Sequence, residues 1–361
     1  MSPHPLTPPP LRALELYCGI GGCAAALGQA AEVVAAVDIN RLALGVYRRN
    51  FPHPTLASTL EAVSAERLAA FAAELWWLSP PCQPFTRRGR GGDVDDPRCR
   101  SLLHLLALLP AVLPRHLALE NVPGFAGSRA HGRLLSTLQR ERYHFQELLL
   151  CPTQLGIPNR RRRYYLLASR RELLPLPPPP PRATPLAAFL DADPDPRSWV
   201  SPELLRRYAG ALDLVDPADP GARTACFTAA YGRSPVRSGS YLIASGREAS
   251  PPGARAGLYA GPGGDGGPPL PPLVRRFSPS EVLRLLGFPA GFSLPPRMPL
   301  ANAWRLAGNS LSVPAVRHVL GAIPELDGRL PRAGTETGPY DGVVGPPPVV
   351  GAGLRPRPGW A

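Results

Sequence analysis

The chain has 361 residues, long enough for one large domain and a smaller one. Its 40 basic residues against 27 acidic ones give a formal charge of +13, which favours a polyanionic partner, most simply nucleic acid. Lysine is absent, so arginine carries all of that charge; with 50 Pro and 36 Gly this is the composition of a GC-rich genome, a bias that by itself inflates the arginine count. Hydrophobic residues make up 44% but form no run long enough to cross a bilayer, and Met1 to Pro10 lacks the apolar core of a signal peptide. The six cysteines, at 18, 23, 82, 99, 151 and 226, include no CxxC pair, which argues against a zinc site and a disulfide scaffold. Reduced thiols in a cytoplasmic protein, without metal or membrane, are the expectation.

From Arg12 to Ser169 short apolar runs alternate with segments rich in Ala and Leu, the pattern of a mostly parallel α/β sheet. The predicted order is a strand at Arg12 to Cys18, a glycine turn, a helix at Ala24 to Ala31 and a strand at Val33 to Ile39. A buried strand at Leu75 to Leu78, a helix at Ser101 to Leu113 and a strand at His116 to Leu119 follow. Tyr143 to Cys151 and Arg163 to Ser169 then read as a closing β-pair. The composition breaks at the polyproline run Pro177 to Pro181, placing a linker at 173–196 between a domain at 12–172 and a small, irregular region at 197–272. Order returns in a helix at Phe277 to Phe288 begun by Ser278 and Pro279, and in a last helix at Ser312 to Leu320. Residues 273–324 are expected to pack back on the first domain, whereas 1–11 and 325–361 read as flexible.

Leu14 to Gly22, LELYCGIGG, runs from a strand into a glycine turn that opens a helix, and Asp38 ends the next strand. Gly19 and Gly21 permit close backbone approach to a ligand, and a carboxylate after the second strand can grip ribose hydroxyls. Gly19, Gly21 and Ala24 also fit the dinucleotide fingerprint, so this turn does not separate a nicotinamide cofactor from S-adenosylmethionine, and a turn that merely packs helix on strand is a further reading.

Ser79 to Thr86, SPPCQPFT, follows the strand carrying Trp76 and Trp77. Its prolines fix torsions and remove amide donors, putting Cys82 on a stiff loop at the carboxyl end of a strand, where α/β sheets bind ligands. A cysteine among apolar residues is more often an inert core thiol. One loop, one helix and one strand separate Cys82 from Glu120, a single right-handed crossover that brings both to neighbouring parallel strand ends. A surface carboxylate or a helix cap is the plainer reading of Glu120.

The string PPCQPFT resembles the catalytic loop of the cytosine-C5 methyltransferases, and the rest of that family's series follows in order. It comprises LELYCGIGG with Asp38, PPCQPFT, Glu120-Asn121-Val122, Arg161 and Arg163 in NRRRRYY, LLGFP at Leu285 to Pro289, and AGNSLSV from Ala307 to Val313. The resemblance implies a Rossmann-like S-adenosylmethionine-dependent methyltransferase fold with a small target-recognition domain. It further implies that Cys82 adds to cytosine C6 and that Glu120 relieves charge at N3. Arg161 and Arg163, two apart at a strand start, share a face and would hold the cytosine O2, a phosphate and the Cys82 loop; Arg160 and Arg162 would face solvent. A four-arginine run is otherwise a surface charge cluster. The base that removes the C5 proton is not nominated, and the target nucleotide must be extruded or already unpaired.

Tyr17, Gly19, Ile20, Gly21, Gly22, Asp38, Ile39, Pro81, Asn309 and Ser310 would form the cofactor pocket; Asn309 and Ser310 also read as a helix N-cap. Thr59-Leu60-Glu61 stands where the family has an Asp after the third strand, so the adenine contact departs from the pattern. In the recognition region, Cys226-Phe227-Thr228 followed by Tyr231-Gly232 is similar to the signature of the tRNA aspartic acid methyltransferase branch, which modifies an anticodon-loop cytosine. Arg87, Arg88 and Arg90, interleaved with glycines, would track a phosphate backbone or simply be solvated. The expected substrate is therefore tRNA, bound also through Cys226, Phe227, Thr228 and Tyr231, with duplex DNA the runner-up. A catalytically silent nucleic-acid-binding protein is the alternative of another class.

Overall fold

Short apolar runs become strands covered on both faces, and the longer amphipathic runs supply the cover. The computed structural model describes residues 9–86, 91–180, 182–208, 210–244 and 273–330. In chain order β1 (Leu11–Leu16), α1 (Gly22–Leu27), β2 (Ala31–Asp38), α2 (Arg41–Asn50), β3 (Thr55–Ala57), α3 (Ala65–Ala70), β4 (Leu75–Leu78), α4 (Arg100–Val112) and β5 (His116–Asn121) form the first part of the molecule. After α5 (Arg129–Arg140), strands β6 (His144–Leu150) and β7 (Arg163–Ser169) complete a sheet of seven strands, ordered β3-β2-β1-β4-β5-β7-β6. Strands β1 to β5 run parallel, and β7 inserts antiparallel between β5 and β6, pairing Glu120 with Tyr165. This is the fold class of the S-adenosylmethionine-dependent methyltransferases. The order reverses between β1 and β4, so the crevice of such a sheet opens at the carboxyl ends of those strands, where the glycine turn and the cysteine loop both emerge.

Several boundaries differ from the sequence reading. Helix α1 starts at Gly22 and stops at Leu27, because Gly28 takes a left-handed φ of 53° and the chain enters β2 at Ala31. The sequence reading passes over α2, β3, α3 and α5. Helix α5 buries only Ala130, Leu134, Thr137 and Leu138, and arginines and other polar residues fill most of its remaining positions. The expected β-pair is present as β6 and β7.

Beyond the sheet lie α6 (Pro202–Arg207), β8 (Asp213–Val215), β9 (Ser240–Ile243), β10 (Val274–Arg276), α7 (Pro279–Leu285), α8 (Leu300–Gly308) and α9 (Val313–Leu320). The region expected to be irregular therefore carries a helix and a second sheet, ordered β10-β9-β8. Since β10 pairs with β9, the expected boundary at 272 would cut through one hydrogen-bonded unit. The expected linker is fastened rather than free: Leu174 N–H donates to Ala322 O, Thr184 N–H donates to Gly156 O, and Asp191 pairs with Arg284 at 2.6 Å. Helix α9 lies against α1, and Arg317 donates to the carbonyls of Ala25 and Ala26 at the end of α1. Residues 245–272, including the expected irregular Gly261 to Pro272, and the tail from 331 lie outside the described residues.

The start of α7 is tied to the small sheet and to the segment before it. Ser278 and Glu281 form a reciprocal capping box, and Glu281 also binds Arg275 through two contacts of 2.9 Å, both side chains being fully buried. Removing one partner of such a pair leaves an uncompensated buried charge. Glu281→Gln should lower the unfolding free energy by ~3 kcal/mol, measured as a fall in the urea midpoint; an unchanged midpoint would show that the pair contributes nothing.

Candidate active site

The glycine turn is built on three left-handed residues, Tyr17, Gly19 and Gly21, with φ of 58°, 55° and 94°. Asp38 at the end of β2 holds the turn: its Oδ2 accepts from Gly19 N–H at 2.8 Å and its Oδ1 from Asn40 N–H at 2.7 Å. A methyl group at Gly21 would meet Phe51 at 2.3 Å and one at Gly22 would meet Leu311 at 2.8 Å, whereas one at Gly19 would meet nothing within 4 Å. The turn is thus packed shut behind Gly21 and Gly22 and open in front of Gly19. That open side, next to Asp38 and the exposed Ile39, is where the turn can take a cofactor.

Beneath it lies a network absent from the sequence reading. Glu15 is buried in β1, accepting from Cys23 N–H at 3.0 Å and from the Tyr47 hydroxyl at 3.1 Å, and that hydroxyl also meets His53 Nδ1 at 3.0 Å. Burial pushes the Glu15 carboxyl up to about 8 and pulls the His53 imidazole down to about 4. The signal in the sequence is a carboxylate among the apolar residues Ala13, Leu14 and Leu16 of β1.

Cys82 stands half-buried just after β4, and Phe85 N–H closes a tight turn on its carbonyl at 3.0 Å. Two contacts from the segment after β5 fix this loop: Asn121 Nδ2–H donates to Pro80 O at 3.2 Å, and a Cβ at Gly124 would stand 2.3 Å from Phe85 O. Only glycine fits there, so the Glu120 segment and the Cys82 loop are built as one piece. Glu120 is buried at the end of β5 and its Oε1 lies 3.3 Å from Arg163 Nε. Burial raises the Glu120 carboxyl above its ordinary range, against the pull of Arg163 and Arg161. Burial, then the Glu120 charge, also raises the Cys82 thiol, while the same two arginines oppose the rise.

The arginines divide the work unequally. Arg160 and Arg162 are exposed; Arg161, preceding β7, is buried and donates to the carbonyls of Phe227 at 2.9 Å and Gly308 at 3.3 Å and also to Ser310 O. The two terminal nitrogens of its guanidinium are taken up by main-chain carbonyls and, for one of them, by Cys226, and only 4% of the residue is exposed, which corrects the expectation that its guanidinium meets the base directly. Arg163 keeps contact with Glu120. Cys226 Sγ lies 3.5 Å from both guanidiniums. Burial alone would raise that thiol, but Arg161 and Arg163 outweigh it and hold it below its ordinary value.

The neighbouring aromatic residues also differ from expectation. Phe227 and Tyr231 are each 1% exposed, stacked edge-on with Phe277 and Trp304, so burial excludes direct contact with a substrate. The glycines around them admit this packing: a Cβ at Gly232 would meet Trp304 at 2.3 Å, one at Gly239 Phe227 at 2.5 Å, and one at Gly308 Thr228 O at 2.2 Å. Thr228 is half-buried. Asn309 is exposed and ends α8, and Ser312 rather than Asn309 or Ser310 precedes α9, without a side-chain cap bond. Ile20 is buried and Pro81 half-buried at the same edge, and Tyr17 donates its hydroxyl to Ser101 at 2.9 Å. Leu60 is buried and Glu61 exposed in the turn after β3. Arg87, Arg88 and Arg90 lie outside the described residues. Among the described residues no group of three or more His, Cys, Asp or Glu could hold a metal, and no helix is long and apolar enough to cross a membrane.

The sequence matches the family described as C-5 cytosine-specific DNA methylase over residues 11–188 and 237–325, leaving Cys226 to Tyr231 in the gap. It is 35% identical to the tRNA (cytosine(38)-C(5))-methyltransferase of Bos taurus, covering 86% of this chain and 98% of that one. Identity to the protein of the same name from Homo sapiens is 33%, covering 88% and 100%. The crystal structure of the S. pombe Dnmt2 methyltransferase superposes with a TM-score of 0.71 at 30% identity, covering 87% and 97%.

Because Glu120 helps to hold the Cys82 thiol up, Glu120→Gln should lower it and speed alkylation of Cys82 by iodoacetamide at about pH 8, roughly threefold for each unit that its pKa falls, the larger thiolate fraction being partly offset by weaker nucleophilicity. In the wild type the rate should still be climbing past pH 9. Site-resolved mass spectrometry reads this without turnover, and equal rates in the two proteins would refute the coupling.

Proposed function

The chain belongs to the C-5 cytosine-specific DNA methylase family, and from that premise we propose that it transfers a methyl group to carbon 5 of a cytosine in an anticodon loop of tRNA. The observation that carries this reading is the single constellation of Cys82, Glu120 and Arg163 at the carboxyl ends of β4 and β5 and the amino end of the antiparallel β7, supported from behind by Arg161 and Cys226. The choice of tRNA is supported by the names of the relatives aligned over nearly the whole chain and by the CFT segment packed against the catalytic arginines.

Cytosine C5 is too weak a nucleophile to take a methyl group directly. Cys82 adds its sulfur to C6, which turns the ring into an enamine and places negative charge toward N3. Glu120, whose burial favours the protonated form, donates to N3 and relieves that charge. Its contact with Arg163 orients the carboxyl, while the Asn121 bond to Pro80 keeps the sulfur at a set distance from it. S-adenosylmethionine supplies an electrophilic methyl group when bound. Tyr17, Gly19, Ile20, Gly21, Gly22, Asp38, Ile39, Pro81, Asn309 and Ser310 would hold it, with Asp38 facing the ribose and Ile39, 69% exposed, offering an apolar face to the adenine. Burial and the Glu120 charge raise the free thiol, so passing its proton to water is part of the cost of forming the sulfur–carbon bond.

Incubation with methyl-labelled cofactor, beside tRNA and duplex DNA, tests the substrate. Label should enter tRNA; label found only in DNA would remove the RNA reading. Cys82→Ala should abolish transfer, and Glu120→Gln should reduce it by about 10²–10⁴. Unaltered turnover in Cys82→Ala would remove Cys82 as the nucleophile, whereas absence of transfer by the wild type, with nucleic-acid binding unchanged in Cys82→Ala, would point to a silent nucleic-acid-binding protein instead.

A further inference from the structure

Helices α4 and α5 pack side by side and leave an open groove of about 530 Å³ between them. Its apolar floor includes Leu103 and Leu106 of α4, and three guanidiniums of α5 rise along it: Arg129, Arg133 and Arg140. On a helix, steps of four and eleven residues return within about 40° of one face, so these arginines form a row with a rise of about 16 Å from end to end. Gly132 and Ser136 stand between them and leave the groove shallow enough for a chain to approach. Neither helix contains an acidic residue.

The row is extended rather than convergent, and that decides the kind of ligand. Three guanidiniums spread over about three turns cannot close on one small anion, but they match a polyanion whose charges recur along a line. Arg129 and Arg140 are themselves exposed and already have partners, the exposed Asp95 at 2.5 Å and the partly buried Glu141 at 3.0 Å. Such exposed pairs are weak enough to be exchanged for phosphate. Among the described residues no ion pair forms at Arg133, in the middle of the row. The amino end of the row is anchored by Asp93, whose carboxylate accepts from Arg129 N–H at 2.6 Å and Ala130 N–H at 3.0 Å.

We propose that this groove docks the sugar-phosphate backbone of a helical stem of the substrate RNA, apart from the nucleotide that reacts at Cys82. The inference rests on tRNA being the substrate. It assigns a distinct task to α5: contacts there raise affinity for a folded RNA without reading sequence and without touching the reacting atoms.

The test compares three proteins, namely the wild type, Arg133→Glu with Arg140→Glu, and a control with the same charge change at Arg142 and Arg170, exposed at the ends of β6 and β7 remote from Cys82. Each is assayed on full-length tRNA and on a stem-less oligoribonucleotide carrying the target loop, with tRNA binding followed against salt. The groove variant should show a KM for tRNA raised about tenfold or more, kcat within about twofold, and a salt slope smaller by about 1.5, from two lost phosphate contacts. Its KM for the stem-less substrate should match the wild type, and the control should behave as the wild type on both. The proposal is overturned if the tRNA KM and salt slope stay unchanged, if the control loses as much, or if both substrates suffer equally. Failure of the wild type itself to methylate tRNA would instead overturn the substrate reading, and the stem-docking role with it, so the two failures are told apart by which protein fails.

Discussion

The buried guanidinium of Arg161 is the point on which the reaction site depends. It precedes β7 in the large sheet, yet its hydrogen bonds go to the carbonyls of Phe227, Gly308 and Ser310, in two segments far along the chain. Those carbonyls are buried polar groups that need a donor, and a planar cation with several N–H groups satisfies them together. One side chain therefore seats the CFT segment and the AGNS segment against the catalytic strands. Lysine could not replace it, because a point charge does not offer the same fan of donors.

The second consequence of Arg161 is electrostatic. With Arg163 it places two positive charges next to Glu120, Cys82 and Cys226, three groups that can become anionic. The outcome differs among them because burial and neighbours compete differently. At Cys226 both arginines lie within 3.5 Å and win. At Cys82 burial and the charge of Glu120 win, so the nucleophile rests as a thiol. Two cysteines a few residues from the same arginines thus acquire opposite characters, one a fixed partner of cations and the other a reagent held in reserve.

Much of this was legible along the chain because its signals are local. The LWWL run, the glycine turn with Asp38, and the crossover that sets Cys82 beside Glu120 each depend on a few adjacent residues, and β4, β5 and β7 stand as read to within two residues. Helix α5 keeps helical apolar spacing at Ala130, Leu134, Leu135 and Leu138, but arginines and other polar residues fill most of its remaining positions and lower its overall hydropathy, so it passes as a surface segment. The CFT segment was read as a contact for the substrate, whereas Phe227 and Tyr231 are core residues. A conspicuous motif is the same string of letters whether it touches a ligand or packs a wall, and burial separates the two.

The amino-acid sequence alone determined the family and the sheet with its carboxyl edge, and it nominates Cys82 as the nucleophile and Glu120 as its carboxylic partner, because each signal is encoded by residue type and short spacing. Tertiary structure alone decided what Arg161 and Cys226 do, that Glu15, Tyr47 and His53 form one buried chain, and that the arginines of α5 line a groove. Those properties belong to distances between segments tens to hundreds of residues apart. Such distances, and the burial that sets the strength of every charge within them, exist only after the chain has closed on itself.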